Sequence, residues 1–166
     1  MLCPSCHTDN IEGVDLCTNC GADLTAVKRP GPSPAQDFMH HRLADLPAAR
    51  PSTVGPTDPV GLAVRLMQTE DVGCVFVMDG ERLAGIITGW DILHKVAGHE
   101  EDLNAVACRD IMTADPVCLR EDDTIAVAIN KMAIGEFRHI PLLQDGKPVR
   151  VVGVDDIFRH IHPYLV

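Results

Sequence analysis

With 166 residues, 46% of them hydrophobic, the chain can bury the core of one ordinary domain and carry a small module beside it. Its formal net charge of −10 disfavours broad contact with a phosphate backbone, since nonspecific nucleic-acid affinity is built from Lys and Arg. There is no apolar run of about eighteen residues to span a membrane, and Met1-Leu2-Cys3-Pro4 has neither the basic region nor the apolar run of a secretion leader; a cytoplasmic protein is expected.

Four of the seven cysteines lie in two Cys-x-x-Cys pairs, Cys3-Pro4-Ser5-Cys6 and Cys17-Thr18-Asn19-Cys20. Each pair brings two thiolates within reach of one ion, and soft thiolates in fours suit tetrahedral zinc with no position left for water. Residues 1–24 hold few apolar side chains, so the metal is expected to supply most of the stability of this module. A redox-active dithiol is the competing reading, but no strand-helix context surrounds either pair. The segment resembles the short zinc ribbons of the CPxC…CxxCG type, which implies a structural or partner-docking role for Cys3, Cys6, Cys17 and Cys20. Cys74, Cys108 and Cys118 fall in apolar or turn-flanking positions and read as inert thiols.

Residues 25–36, with three prolines and a glycine in Lys28–Pro34, predict a semi-extended linker. Asp37 is then placed to cap a short lead-in helix through Phe38, Met39, Leu43 and Leu46, leaving His40 and His41 as a solvated pair.

From Asp45 the chain repeats itself. Asp45 matches Asp110, Pro51 matches Pro116, Asp58 matches Asp123, Met67 matches Met132 and Asp91 matches Asp156, always 65 positions apart. Each copy predicts an amphipathic helix (Val60, Ala63, Val64, Met67; then Ile125, Ala128, Ile129, Met132). A buried strand follows (Cys74–Met78; Ile140–Leu143), then an Asp-Gly turn (Asp79-Gly80; Asp145-Gly146) and a second strand (Leu83–Ile87; Val149–Val152). A last helix starts near Asp91 or Asp156. Short apolar strands alternating with helices specify an α/β unit, and two such copies cover each other's apolar sheet faces best as a pseudo-twofold pair.

The turn Gly85-Ile86-Ile87-Thr88-Gly89-Trp90-Asp91 sets a hydroxyl and a carboxylate three residues apart at a strand-to-helix junction, where backbone N–H groups also point outward. Such a corner can hold a sugar diol beside a phosphate; it can also be an ordinary helix cap.

Together, Asp110-Ile111-Met112-Thr113 with Pro116-Val117, Arg138-His139-Ile140-Pro141-Leu142, the Asp-Gly turns and Gly85-Ile86-Ile87-Thr88-x-x-Asp91 resemble a tandem pair of CBS domains, the Bateman module. The resemblance covers residues 45 to about 161 and implies two β-α-β-β-α repeats, the first with its lead-in over 37–101 and the second over 102–166. It implies a regulatory, non-enzymatic domain that binds AMP, ADP, ATP or S-adenosylmethionine between the copies and pairs into a homodimer through its helices.

Carried over residue by residue, the resemblance makes Asp91 the acceptor of the ribose hydroxyls and places Thr88 on the ribose or first phosphate. Arg138 and His139 correspond to the family's phosphate-facing basic pair, with a surface ion pair as the alternative for Arg138. Backbone at Ile140 and Pro141, with the segments near Thr53 and Cys118, would line the adenine. Trp90 stacks on a base or covers a packing face. The second copy keeps Asp156 but has Arg150 and Gly153 where the first has Gly85 and Thr88, and Asp155 where the first has Trp90. At most one good nucleotide site, around Thr88 and Asp91, is therefore expected. His94, His99, His160 and His162 show no metal-ligand spacing and read as surface residues.

The expectation is thus an adenosine-ligand sensor with a zinc ribbon that docks a partner or the other subunit. A ligand-free interaction scaffold competes with it. A zinc enzyme is disfavoured by the closed four-thiolate site and the lack of a paired nucleophile and base. Nucleic-acid binding by the ribbon is disfavoured by the net charge.

Overall fold

The computed structural model describes residues 1–11, 13–25, 37–98 and 102–165 and divides into two compact units, Met1–Asp37 and Phe38–Val166. The predicted linker segment Lys28–Pro34 and His99 lie outside the described residues. No helix among those described is long and apolar enough to cross a membrane.

The N-terminal unit is two copies of one knuckle, 14 residues apart. His7 N–H donates to Cys3 O and Gly21 N–H to Cys17 O, both at 2.9 Å, and Cys3 and Cys17 N–H donate in turn to Thr8 O and Ala22 O. Bridges pair Leu2 with Asp9 and Leu16 with Asp23. A left-handed residue closes each knuckle, His7 at φ +58° and Gly21 at φ +70°. Among the described residues of this unit the apolar core is Cys3, Cys17 and Leu24 with a few half-buried neighbours, too little to hold a fold by itself.

In the larger unit the elements are β1 (Thr53–Val54), α1 (Val60–Thr69), β2 (Cys74–Asp79), β3 (Arg82–Thr88), α2 (Gly89–Lys95), α3 (Cys108–Ile111), β4 (Thr113–Ala114), β5 (Leu119–Arg120), α4 (Ile125–Gly135), β6 (His139–Gln144), β7 (Lys147–Gly153) and α5 (Val154–Leu165). Two sheets form, ordered β1-β2-β3-β4 and β5-β6-β7. In both, the first pair is parallel and the next antiparallel. Both hairpins turn on two residues: Gly80 (φ +60°) leads one, and Asp145 and Gly146 (φ +50° and +77°) make the other. The Asp-Gly pairs matched in sequence therefore sit one position out of step, Asp79 still in its strand and Asp145 already in its turn.

The copies exchange their leading segments. Leu43 and Leu46 belong to the core of the second copy with Ile125, Ile140, Leu142 and Val152, while Cys108 and Ile111 belong to the core of the first with Val60, Val75 and Ile87. A third cluster, Cys74, Phe76 and Ile86 with half-buried Val151, joins the two sheets.

This exchange corrects the predicted lead-in helix. Residues 38–46 form two 3-10 turns, Phe38–His40 and Leu43–Asp45. Leu43 and Ala44 N–H donate to Asp123 O and Glu121 O, and His41 O accepts from Ile125 N–H. Backbone groups that an α-helix would use internally are committed to the second copy. His41 and His160 also depart from the solvated reading: His41 Nδ1 lies 2.9 Å from His160 Nε2, with the Tyr164 ring against both.

Candidate functional site

Helix α2 begins at Gly89, two residues ahead of the predicted start, because Thr88 is its N-cap and Asp91 its third residue. Thr88 Oγ1 accepts from Asp91 N–H at 3.4 Å, and Asp91 Oδ2 accepts from Thr88 N–H at 2.9 Å and from Thr88 Oγ1–H at 2.7 Å. This reciprocal box satisfies N–H groups that a helix start would leave open.

Its other oxygen does something a cap does not require. Asp91 Oδ1 accepts from Lys95 Nζ at 2.8 Å and from Thr113 Oγ1 at 3.1 Å, and the same ammonium donates to Ile111 O at 2.7 Å. Asp91 is 4% exposed, the one charged residue fully buried among those described. Burial opposes its charged form, but the hydrogen bonds from Lys95 and Thr88 and the Lys95 charge outweigh it and hold the carboxyl below its ordinary value. The site therefore keeps an ionised, acceptor-only group beside a helix N-terminus.

Around Asp156 the arrangement is barer. Asp156 Oδ2 accepts from Gly153 N–H at 2.8 Å, and its Oδ1 meets Arg159 at 3.3 Å on the helix surface. His139 lies close by: a Cβ on Gly153 would stand 3.5 Å from its ring, and one on Gly73 would stand 2.5 Å from its Nε2. Burial lowers the His139 pKa, the nearby Asp155 and Asp156 carboxylates oppose this, and Arg138 adds to the lowering. Arg138 is exposed, and its carbonyl accepts from Val154 N–H at 3.0 Å.

Thr88 is bonded to Asp91, while His139 lies against Gly153 beside Asp156 and also against Gly73, the neighbour of the Cys74 that pairs with Thr88. Ile140 and Pro141 are fully buried in β6. Trp90 is 69% exposed and stacks on His94 at 3.5 Å between ring centres. Sequence reasoning missed Lys95 and Thr113. Lys95 was findable as the i+4 partner of Asp91, whereas Thr113 reaches Asp91 only through the pairing of β3 with β4.

In the N-terminal unit the four sulfurs of Cys3, Cys6, Cys17 and Cys20 lie within 4.8 Å of one another. Cys3–Cys20 and Cys6–Cys17 are each 3.6 Å apart. Tetrahedral ligands about 2.3 Å from zinc stand roughly 3.8 Å from each other, so this cluster has the dimensions of a one-ion cage. Backbone N–H of Ser5 and the Asn10 amide point at Cys3 and Cys17 sulfurs, as outer donors to thiolates do. The other thiols favour the protonated form: burial pushes Cys74 up to about 12 and Cys108 to about 11, with nearby Asp156 and Asp58 adding to the rise, and raises Cys118 as well.

Two apolar surfaces are exposed on helices. Trp90 and Leu93 stand out on α2, and α4 and α5 enclose a groove of about 490 Å³ lined by Ile129, Met132, Phe137, Ile157 and Phe158 among others.

Residues 37–98 and 108–163 match the family model described as CBS domain. Among curated relatives, the chain is 32% identical over 102 residues to a CBS domain-containing protein of Arabidopsis thaliana, CBSCBSPB3, covering 61% of this chain and 18% of that one. It is 34% identical over 109 residues to inosine-5′-monophosphate dehydrogenase of Methanocaldococcus jannaschii, covering 64% and 21%. The chain thus spans about a fifth of each of these relatives. Among solved structures, a CBS-domain containing protein of Agrobacterium tumefaciens is 26% identical with a TM-score of 0.63, covering 68% of this chain and 90% of that one. The CBS domain pair of protein MJ0100, in complex with 5′-methylthioadenosine and S-adenosyl-L-methionine, is 23% identical with a TM-score of 0.65, covering 72% and 98%. A hexameric CBS-CP12 protein of bloom-forming cyanobacteria is 22% identical with a TM-score of 0.67, covering 73% and 72%.

Proposed function

The chain belongs to the CBS domain family, and from that premise we propose that it is a regulatory protein that binds an adenosine nucleotide or S-adenosylmethionine at Asp91 without catalysing a reaction. One observation carries this reading: an ionised carboxylate held at the N-terminus of α2 beside the Thr88 hydroxyl. A carboxylate with two acceptor oxygens suits a ribose diol, and the helix start suits the phosphate that follows it. The adenosine compounds in the MJ0100 complex support the ligand class. With Gly153 in place of a hydroxyl and Asp155 beside it, the second copy is the poorer site.

The four cysteines hold zinc in this proposal, and the ion closes the knuckles structurally and supports docking to a partner or second subunit. The exposed apolar helix faces serve a homodimer, in line with the hexameric relative. Removing zinc with a chelator should abolish the folded amide signals of residues 1–25, and metal-edge absorption should report four sulfur ligands. A nitrogen or oxygen ligand in that spectrum would sink the closed-site assignment.

The deciding experiment titrates the protein with AMP, ATP and S-adenosylmethionine while following thermal stability and the fluorescence of Trp90, its one tryptophan. Ligand at about a hundred times its Kd should stabilise the fold by roughly 2.7 kcal/mol, and Asp91→Asn should erase the response. A second reading, an interaction scaffold without ligand, is favoured by the four internal donors already on Asp91. It predicts silence toward every nucleotide.

A further inference from the structure

A carboxylate offers about four lone-pair positions, and Asp91 has four donors from its own chain: Thr88 N–H and Oγ1–H on Oδ2, Lys95 and Thr113 on Oδ1. The two oxygens differ in what could release them. Oδ2 is tied to the cap that starts α2, and freeing it would undo the helix start. Oδ1 is tied to the ends of two side chains. The Lys95 side chain is 43% exposed, and its ammonium is bonded to a carboxylate that is 5% exposed, so the solvent-reaching partner of the pair is the lysine.

We propose that Lys95, with Thr113, is an internal latch that competes with ligand for Asp91 Oδ1, so that a ribose diol binds only when the lysine leaves. The inference rests on the nucleotide-binding reading above and adds to it a residue that sets the affinity. It also supplies a route of coupling. Lys95 holds Ile111 O as well as Asp91, and Ile111 lies in the segment that runs through β4 into the second copy. Ligand that displaces the ammonium therefore releases a carbonyl of the segment joining the copies. A latch closed most of the time weakens apparent binding by the fraction open, so one that is open in about a tenth of molecules costs tenfold in affinity.

The test is calorimetric titration of the full-length, zinc-loaded protein with AMP and, separately, S-adenosylmethionine. The variants are Lys95→Met, which keeps the aliphatic stem; Lys95→Gln, which keeps a neutral donor should Lys95→Met not fold; Thr113→Val; and Asp91→Asn. Expected are tightening of about tenfold for both ligands in Lys95→Met, smaller tightening in Lys95→Gln and Thr113→Val, and loss of binding in Asp91→Asn. A silent wild type with a binding Lys95→Met variant supports the latch equally. Unchanged affinity in the folded lysine variants overturns the latch and leaves nucleotide binding standing. Weaker AMP binding with S-adenosylmethionine unaffected also overturns it, because the lysine then contacts phosphate. If neither the wild type nor any variant binds either compound, the nucleotide reading falls and the latch with it.

Discussion

Asp91 and Asp156 occupy equivalent turns 65 residues apart, yet the side chain of the first is 5% exposed with three side-chain donors from Thr88, Lys95 and Thr113, while that of the second is 18% exposed and among the described residues is hydrogen-bonded to Gly153 N–H and a surface arginine. The equivalents of the three donors explain the difference. Position 88 becomes Gly153, position 95 becomes His160 and position 113 becomes Ala48. Each replacement removes the hydroxyl or the ammonium, and His160 turns to His41 instead. The copies share a backbone plan and one carboxylate; what they do with it is decided by three side chains, one of which comes from the exchanged segment.

The sharpest way to break this comparison is to delete each carboxylate. Asp91→Ala leaves an ammonium with only a carbonyl partner and removes the cap of α2, and breaking a buried pair of this kind costs about 3–5 kcal/mol. Asp156→Ala removes a cap-like acceptor and an exposed ion pair, for about 1 kcal/mol. Urea unfolding of both variants checks the ratio. Equal losses would mean that Lys95 and Thr113 add nothing to Asp91.

A second contrast lies one strand earlier. Gly85 and Arg150 are equivalent, and the exchanged segments meet them differently. In the first copy β4 lies directly on Gly85, where a Cβ would stand 2.8 Å from Thr113 O and 2.6 Å from Met112 Sδ. In the second copy the Arg150 guanidinium fills that space, donating to Ala44 O and Leu46 O and pairing with Glu121 at 3.1 Å. Gly85→Ala should therefore destabilise by about 1–3 kcal/mol through overpacking against backbone. Arg150→Met should cost a similar or smaller amount, roughly 1–2 kcal/mol, by leaving carbonyls unpaired. Thermal melts of the two variants test this, and a neutral Gly85→Ala would show that β4 is not held where the first copy needs it.

Much of this fold was legible because a 65-residue repeat shows the same apolar spacing twice, and burial at Val60, Ala63, Ile125, Ala128 and Met132 follows it. The lead-in was not legible as a local pattern. Phe38, Met39, Leu43 and Leu46 have helical spacing, but the backbone groups of His41, Leu43 and Ala44 bond to residues some 80 positions away, and no window of sequence contains both ends. The same limit hid Thr113 from Asp91. The two cysteine pairs were visible in the sequence, but the 14-residue knuckle repeat was not, because its second half is carried by backbone bonds at Thr8 and Ala22, whose side chains differ. The turn at Thr88 was readable as cap or ligand corner, and the structure shows that the cap is made through Oδ2, while Oδ1 is bonded to Lys95 and Thr113.

Acid gives the finest measure of how far Lys95 and Thr113 set Asp91 apart. The folded carboxyl of Asp91 titrates below the ordinary 3.8 of the unfolded chain, despite burial, because Lys95 and Thr88 favour the charged form. Such a group binds more protons unfolded than folded, so its stabilisation is full above about pH 4–5 and disappears as pH falls through the lowered native value. Comparing unfolding of the wild type with Asp91→Asn from pH 7 down to about 2 should show a stability gap that is constant at neutral pH and narrows only below about pH 4. In a Lys95→Met background the ammonium that lowers the native pKa is gone, so the narrowing, whose onset is set by the unfolded carboxyl, should be shallower and end at higher pH. A narrowing of equal depth with and without the lysine would assign the lowering to the Thr88 cap alone, and Asp91 would then differ from Asp156 by its hydroxyl and not by its ion pair.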